Sequence, residues 1–210
     1  FLRVQHCTQS CVFCDSKEVW RFGNPYTFEE LFVLMEAEDI NLIEKLKKGQ
    51  HLVLTGGSPV RQQDMLIKFI QAFIDRYGFK PYIEIENEST LLPKSGLIKI
   101  VDCWNNSPKL ENSYNPKGFR YQPDILMKLA SLENSWFKFV VSSDLEWEEI
   151  KEDFIRPAYI RREQIILMPL GATREELGWN REKVIDIAIR ENVKYCTREH
   201  IVVWNKMTGV

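Results

Sequence analysis

The sequence predicts an α/β fold with mostly parallel strands. Three observations carry that prediction. Apolar runs of strand length recur along the chain, at 51–54, 81–86, 136–141 and 164–168. Amphipathic stretches of helical length, such as 61–77 and 123–131, lie between them. The connections are short. Parallel neighbours need a crossover, which is ordinarily a helix, so this alternation argues for right-handed βαβ units.

The elements follow in order. Phe1 to Val4 alternates like a strand and runs into a loop that continues through Lys17, Trp20, Gly23 and Pro25. Thr27-Phe28-Glu29-Glu30 has the form of a capping box. A helix is expected from there to about Lys48, interrupted near Glu38-Asp39 and stopped by Gly49. His51 to Leu54 reads as a buried strand ending in Thr55-Gly56-Gly57-Ser58-Pro59. The helix over 61–77 places Met65, Phe69, Ile70, Phe73 and Ile74 on one stripe and closes at Gly78. Strands are expected at 81–86 and 97–101, and 102–116, rich in Asn, Ser and Pro, reads as a loop. A helix over 123–131, a strand over 136–141, a helix capped by Ser143 and reaching about Phe154, and a strand over 164–168 come next. Thr173-Arg174-Glu175-Glu176 resembles a capping box. Gly178 follows so closely that the long helix is expected to begin near Asn180 and to reach Asn192. A last strand is expected over 200–204.

The 210 residues suit a single domain, 1–210, with a sizeable core. Hydrophobic residues make up 44% and charged residues 28%, which is ordinary globular composition. Net charge is −2 and basic residues occur only in short groups such as Arg161-Arg162, so no nucleic-acid surface is indicated. No apolar stretch is long enough to span a bilayer, and nothing reads as a signal peptide. The five cysteines are an odd number and three are clustered, which suits metal binding in a reducing, cytoplasmic compartment.

The chemistry-bearing stretch is Cys7-Thr8-Gln9-Ser10-Cys11-Val12-Phe13-Cys14-Asp15-Ser16. Soft thiolates at C-x3-C-x2-C spacing wrap one metal centre. A structural zinc site wants four closed protein ligands, and Cys103 and Cys196 are isolated and distant in sequence. Three thiolates with an open fourth position suit a four-iron cluster that keeps one iron for a small molecule. A zinc-stabilised binding domain borrowing a distant ligand is the non-enzymatic alternative.

This motif, with Phe13 before its last cysteine, resembles the signature of radical S-adenosyl-L-methionine (SAM) enzymes. Thr55-Gly56-Gly57-Ser58-Pro59 resembles their Gly-Gly-Glu-Pro stretch, with Ser58 where the family shows Glu. Ile83-Glu84-Ile85-Glu86-Asn87-Glu88-Ser89-Thr90, Ser107-Pro108-Lys109, Trp136-Phe137-Lys138-Phe139-Val140-Val141, Met168-Pro169 and Arg198-Glu199-His200 to Gly209-Val210 narrow the resemblance to the 7-carboxy-7-deazaguanine synthases. It covers nearly the whole chain, from Arg3 to Val210.

The resemblance implies an incomplete, TIM-like β/α barrel of the radical SAM type. It implies a lyase that converts 6-carboxy-5,6,7,8-tetrahydropterin to 7-carboxy-7-deazaguanine with loss of ammonia, in queuosine-type 7-deazapurine biosynthesis. The implied cofactors are a 4Fe-4S cluster, SAM and magnesium. An electron donor such as flavodoxin or ferredoxin and a homodimer are implied as well. By matching, Cys7, Cys11 and Cys14 ligate the cluster and Ser16 binds magnesium. Gly57, Ser107, Pro108 and Lys109 line SAM. Arg3, Thr55, Glu86, His200 and Val210 bind the pterin. Plainer readings stand beside these roles: Arg3 as a surface strand residue, Ser16 as a turn serine, His200 as a strand histidine, Lys109 as a solvated loop lysine, and Glu84 in place of Glu86. The family's amino-terminal Gln-Gly-Glu segment is not found from Phe1 onward, which leaves two readings: it lies before Phe1, or this member closes its pocket differently. A radical SAM activase of a glycyl-radical partner is the enzymatic alternative.

Overall fold

A computed structural model describes residues 1–205 and Met207. Among these residues seven strands are hydrogen-bonded in chain order, β1 through β7. β1 pairs with β2, β2 with β3, β5 with β6, and β6 with β7, all in parallel. The expected α/β class with mostly parallel strands is borne out. The chain divides into two compact units.

The first unit comprises residues 1–8, 16–87 and 91–104. In order it holds β1 (Leu2–Val4), α1 (Lys17–Arg21), α2 (Phe28–Glu38), α3 (Leu42–Lys47), β2 (His51–Gly56), α4 (Gln63–Tyr77), β3 (Tyr82–Asn87), α5 (Ser95–Ile100) and the start of β4 (Cys103–Asn106). The Thr27 box forms as expected: its hydroxyl accepts from Glu30 N–H, and the Glu30 carboxylate accepts from Thr27 N–H at 2.7 Å. The break after Glu38 also forms, and Gly78 ends α4 in the left-handed region. Leu52, Leu54, Ile83 and Ile85 are buried on one sheet face. Phe32, Phe69 and Phe73 form the aromatic core of the helices, with Phe32 stacked on Phe69 at 5.4 Å. Phe69, Ile70 and Phe73 of the expected α4 stripe are buried and Leu66 joins them, whereas Met65 is exposed. α1 falls where a loop was expected.

The predicted strand over 97–101 is helix α5, and the strand is β4, six residues later, in the stretch read as a loop. A short apolar run does not distinguish helix from strand by period alone. Packing decides it here: Gly96 brings α5 so close to α4 that a Cβ would meet Ile67 Cδ1 at 3.1 Å. The polar β4 is possible because Asn106, fully buried, donates its amide to Ser135 Oγ at 2.9 Å and to the Trp136 carbonyl at 3.1 Å. A buried amide with partners costs little; one without them costs several-fold more.

The second unit comprises residues 9–15, 88–90 and 105–210. Its elements are α6 (Lys117–Arg120), α7 (Pro123–Ala130), β5 (Ser135–Val141), α8 (Asp144–Ile150) continued by a π-turn (Lys151–Ile155), β6 (Ile165–Pro169), α9 (Arg174–Glu191), β7 (Lys194–Tyr195) and α10 (Glu199–Trp204). The Ser143 box forms as read, with Glu146 accepting from Ser143 N–H at 2.8 Å. Phe137, Phe139, Trp147, Phe154, Ile165 and Leu167 build the core.

Two expectations are corrected in this unit. The segment 200–204 is helix α10, not a strand. Its β-branched residues favour a strand, but the edge of β6 is already taken by Lys194 and Tyr195, which pair with Ile166 and Leu167. Helix α9 begins at Arg174, not near Asn180. Thr173 Oγ1 accepts from Glu176 N–H at 3.1 Å, while the Glu176 carboxylate accepts from Ala172 N–H. That cap carries the helix through Gly178. A Cβ at Gly178 would meet nothing within 4 Å. Gly178→Ala is therefore expected to stabilise the protein by about 1 kcal/mol, seen as a higher urea midpoint at unchanged slope.

Candidate active site

In the first unit, three predicted residues form a row across three parallel strands. Arg3, Thr55 and Glu86 are each the penultimate residue of their strand, β1, β2 and β3. Register sets Arg3 opposite Thr55. The Thr55 hydroxyl donates to Glu86 Oε2 at 2.8 Å. Strand alternation sends the neighbours Leu54 and Ile85 to the opposite, fully buried face. The result is a guanidinium, a hydroxyl and a carboxylate at the carboxyl ends of consecutive strands. Thr55 is only 4% exposed, Glu86 is half-buried and Arg3 is exposed. Glu84, the alternative to Glu86, lies two residues earlier and pairs instead with His51 Nδ1 at 2.9 Å. Nearby Cys103 is half-buried, and burial, aided by Glu84 and Asp102, pushes its thiol up to about 11.

The Gly-Gly turn is built against the chain's own backbone. Gly57 N–H donates to the Val4 carbonyl at 3.0 Å, and Ser58 N–H to the His6 carbonyl at 2.8 Å. Gly56 has φ +128°, and a Cβ there would stand 2.1 Å from Val4 O. A Cβ on Gly57 would stand 2.1 Å from His6 O and 2.8 Å from Cys7 N. Both glycines are thus required where β2 meets the start of the cysteine loop, a backbone-on-backbone contact that only glycine permits. Gly57→Ala is expected to cost about 3 kcal/mol, because a carbonyl on an ordered strand cannot yield as a side chain can. A urea midpoint equal to that of the unaltered protein would contradict this. Ser16 stands at the amino-terminal cap of α1, where its carbonyl accepts from Val19 and Trp20 N–H.

In the second unit, the segment from Gln9 to Asp15 is pinned to the 113–120 region. Val12 N–H donates to the Ser113 carbonyl at 3.3 Å, and the Gln9 amide to the Phe119 carbonyl at 3.1 Å. Asn115 does the closest work: Oδ1 accepts from Ser10 N–H at 2.9 Å, and Nδ2 donates to Cys11 Sγ at 3.2 Å. Cys11 is 8% exposed. Burial raises its thiol above the usual range, with Cys14 adding to the rise, while Lys109 and the Asn115 amide oppose it. Lys109 Nζ donates to Ser107 Oγ at 2.9 Å, so the Ser-Pro-Lys loop is internally bonded and Pro108 is buried within it. Asp15, between Cys14 and Ser16, forms an ion pair with buried Arg198, and exposed His200 places Nε2 3.9 Å from the same carboxylate. His200 is therefore a helical residue of α10 near the cysteine loop, not the strand histidine expected. Val210 lies outside the described residues.

Among the described residues, no three His, Cys, Asp or Glu side chains crowd a single point closely enough to hold one metal ion. A cubane cluster does not ask for that, because each thiolate binds a different iron. The donor chemistry fits such a cluster: three thiols lie on one loop, and the sulfur of Cys11 already accepts an N–H. No helix among the described residues is long and apolar enough to cross a membrane.

The sequence reading missed Asn115, Arg120, Glu149 and the Asp15–Arg198 pair. Asp15 adjoins the last cysteine, and Arg198 opens the carboxyl-terminal match, so both were within reach of the motif. Asn115 sat unmarked in an Asn- and Ser-rich loop, where composition signals only irregular structure.

Comparison with known proteins places the chain among relatives. Residues 1–88 match the family described as a 4Fe-4S single cluster domain. A 7-carboxy-7-deazaguanine synthase of Pyrobaculum aerophilum is 28% identical over 209 residues, spanning 100% of this chain and 87% of that protein. The synthase of Rhodopirellula baltica is 30% identical over 216 residues, spanning 96% of this chain and 77% of that protein. Among solved structures, QueE from Escherichia coli superposes with a TM-score of 0.58 at 17% identity, covering 92% of this chain and 82% of that one, so the two share a fold. On the length and identity of these matches, the chain belongs to the 7-carboxy-7-deazaguanine synthase family.

Proposed function

We propose that this protein is the radical SAM lyase that contracts 6-carboxy-5,6,7,8-tetrahydropterin to 7-carboxy-7-deazaguanine with release of ammonia. The observation that carries the reading is the row of Arg3, Thr55 and Glu86 across three strand ends. It offers a cation for a carboxylate and an acceptor for a guanidine-like ring edge, the two polar ends of that substrate.

When bound, a 4Fe-4S cluster and SAM supply the electron and the hydrogen-abstracting radical. The chain's own residues bind and orient. Arg3 grips the substrate carboxylate in a two-pronged pair. Glu86 accepts from the pterin's amino edge, and Thr55, whose hydroxyl proton is committed to Glu86, presents lone pairs beside it. Cys7, Cys11 and Cys14 ligate three irons. Gly57, Ser107, Pro108 and Lys109 line SAM. Ser16 offers a hydroxyl to magnesium, a hard cation that favours oxygen and retains waters. His200 is assigned to the pterin by the family match, as is Val210, which lies outside the described residues. Hydrogen-atom transfer requires near-contact geometry, which rigid strand ends provide better than loops. The product enters queuosine-type 7-deazapurine biosynthesis in the cytoplasm, a flavodoxin or ferredoxin delivers the electron, and the protein works as a homodimer.

The test is anaerobic reconstitution with iron, sulfide, SAM, reductant and the carboxy-tetrahydropterin, with and without magnesium. Ultraviolet detection of deazaguanine and ammonia supports the reading. A brown, SAM-cleaving protein that forms no deazaguanine would turn it toward another radical substrate. A colourless protein holding zinc and no iron would end it.

A further inference from the structure

We propose that Asn115 is a positioning residue for the iron–sulfur centre: its amide donates to the sulfur of Cys11 and raises the reduction potential of the cluster that this cysteine ligates. The inference rests on the cluster reading given above and goes beyond the residues matched to the family.

The amide's orientation is determined by its partners. Oδ1 accepts from the Ser10 backbone at 2.9 Å, so the nitrogen end is the one that faces Cys11 Sγ, at 3.2 Å. Nδ2 also lies 3.1 Å from Ser113 Oγ. Rotating the side chain away breaks all three contacts at once.

The loop that carries Asn115 is itself clamped. Arg120 is 5% exposed, and its Nε donates to the Asn115 carbonyl at 3.1 Å. Its Nη1 donates to the Lys109 carbonyl at 3.1 Å and pairs with Glu149 at 2.6 Å. The Glu149 carboxylate accepts from Glu111 N–H at 2.9 Å. One ion pair thus holds the chain at three backbone points, 109, 111 and 115. A buried pair is tolerable when its other polar atoms find partners, and Arg120 Nε and Nη1 and both Glu149 oxygens do so here. Asn115 reaches the sulfur from a fixed base, not from a mobile loop.

The consequence is electronic. An N–H donated to a thiolate withdraws density from sulfur and favours the extra electron of a reduced cluster, so the potential rises.

The experiment uses the anaerobically reconstituted full chain, with asparagine labelled by nitrogen-15. Pulsed electron paramagnetic resonance of the reduced cluster is expected to show weak coupling to an asparagine nitrogen. That coupling should vanish in Asn115→Leu, and a redox titration should show a lower midpoint potential at unchanged iron content. Asn115→Asp keeps an acceptor for Ser10 and removes the donor, and its potential should fall too. A clustered wild-type protein without asparagine coupling would overturn the proposal, as would an unchanged potential in iron-replete Asn115→Leu. If Asn115→Leu holds no cluster, the wild-type coupling decides. If the wild-type protein itself assembles no iron–sulfur cluster under any reconstitution, the enzymatic reading falls and takes this proposal with it.

Discussion

Replacing Cys11 by alanine is expected to remove the brown chromophore of the reconstituted protein and its turnover together. The loss should be complete, because a cluster left with two thiolates has no third soft donor beside it. Cys103 and Cys196 stand far outside the C-x3-C-x2-C loop in the sequence. The fold should survive. Cys11 is buried, but removing its single sulfur resembles the loss of one methylene, about 1 kcal/mol. Iron content, visible absorbance and far-ultraviolet circular dichroism on one sample separate the outcomes. Retained colour or retained product would be incompatible with Cys11 as a ligand.

Glu86→Gln is expected to lower kcat/KM by about three- to thirtyfold while leaving the cluster intact. The glutamine Oε1 still accepts from Thr55, so the β2–β3 contact persists and stability should change little. What is lost is the charge. A hydrogen bond to a charged acceptor contributes about 1.5–3 kcal/mol, against about 1 for a neutral one. Steady-state kinetics with purified carboxy-tetrahydropterin, alongside SAM cleavage without substrate, distinguishes the cases. If SAM cleavage falls as far as product formation, Glu86 acts on the cofactor and not on the pterin. The same substitution at Glu84 should leave kcat/KM within about twofold, since that carboxylate, two residues earlier, is already engaged by His51.

The legible parts of the sequence were those written in local chemistry. The Thr27 and Ser143 capping boxes involve residues three apart, so a four-residue window contains the whole interaction. The C-x3-C-x2-C spacing is local as well. The misread segments were those where two local signals tie. The runs 97–101 and 200–204 are each five residues of apolar or β-branched character, and neither period nor propensity separates helix from strand at that length. For 97–101, packing of Gly96 on Ile67 selects the helix. For 200–204, the strand edge was already occupied by Lys194 and Tyr195, each 28 residues from its partner.

By itself, then, the sequence determined the cysteine loop, the glycine pair, the alternation of strand and helix and the family. Each of these is encoded in neighbours along the chain. Only the tertiary structure decided which polar residues meet one another. Thr55 meets Glu86 across 31 positions, and Asn115 meets Cys11 across 104. Arg120 clamps its loop with a carboxylate 29 residues away. Hydrogen bonds of this kind depend on register and on burial, and neither quantity exists until the chain has folded.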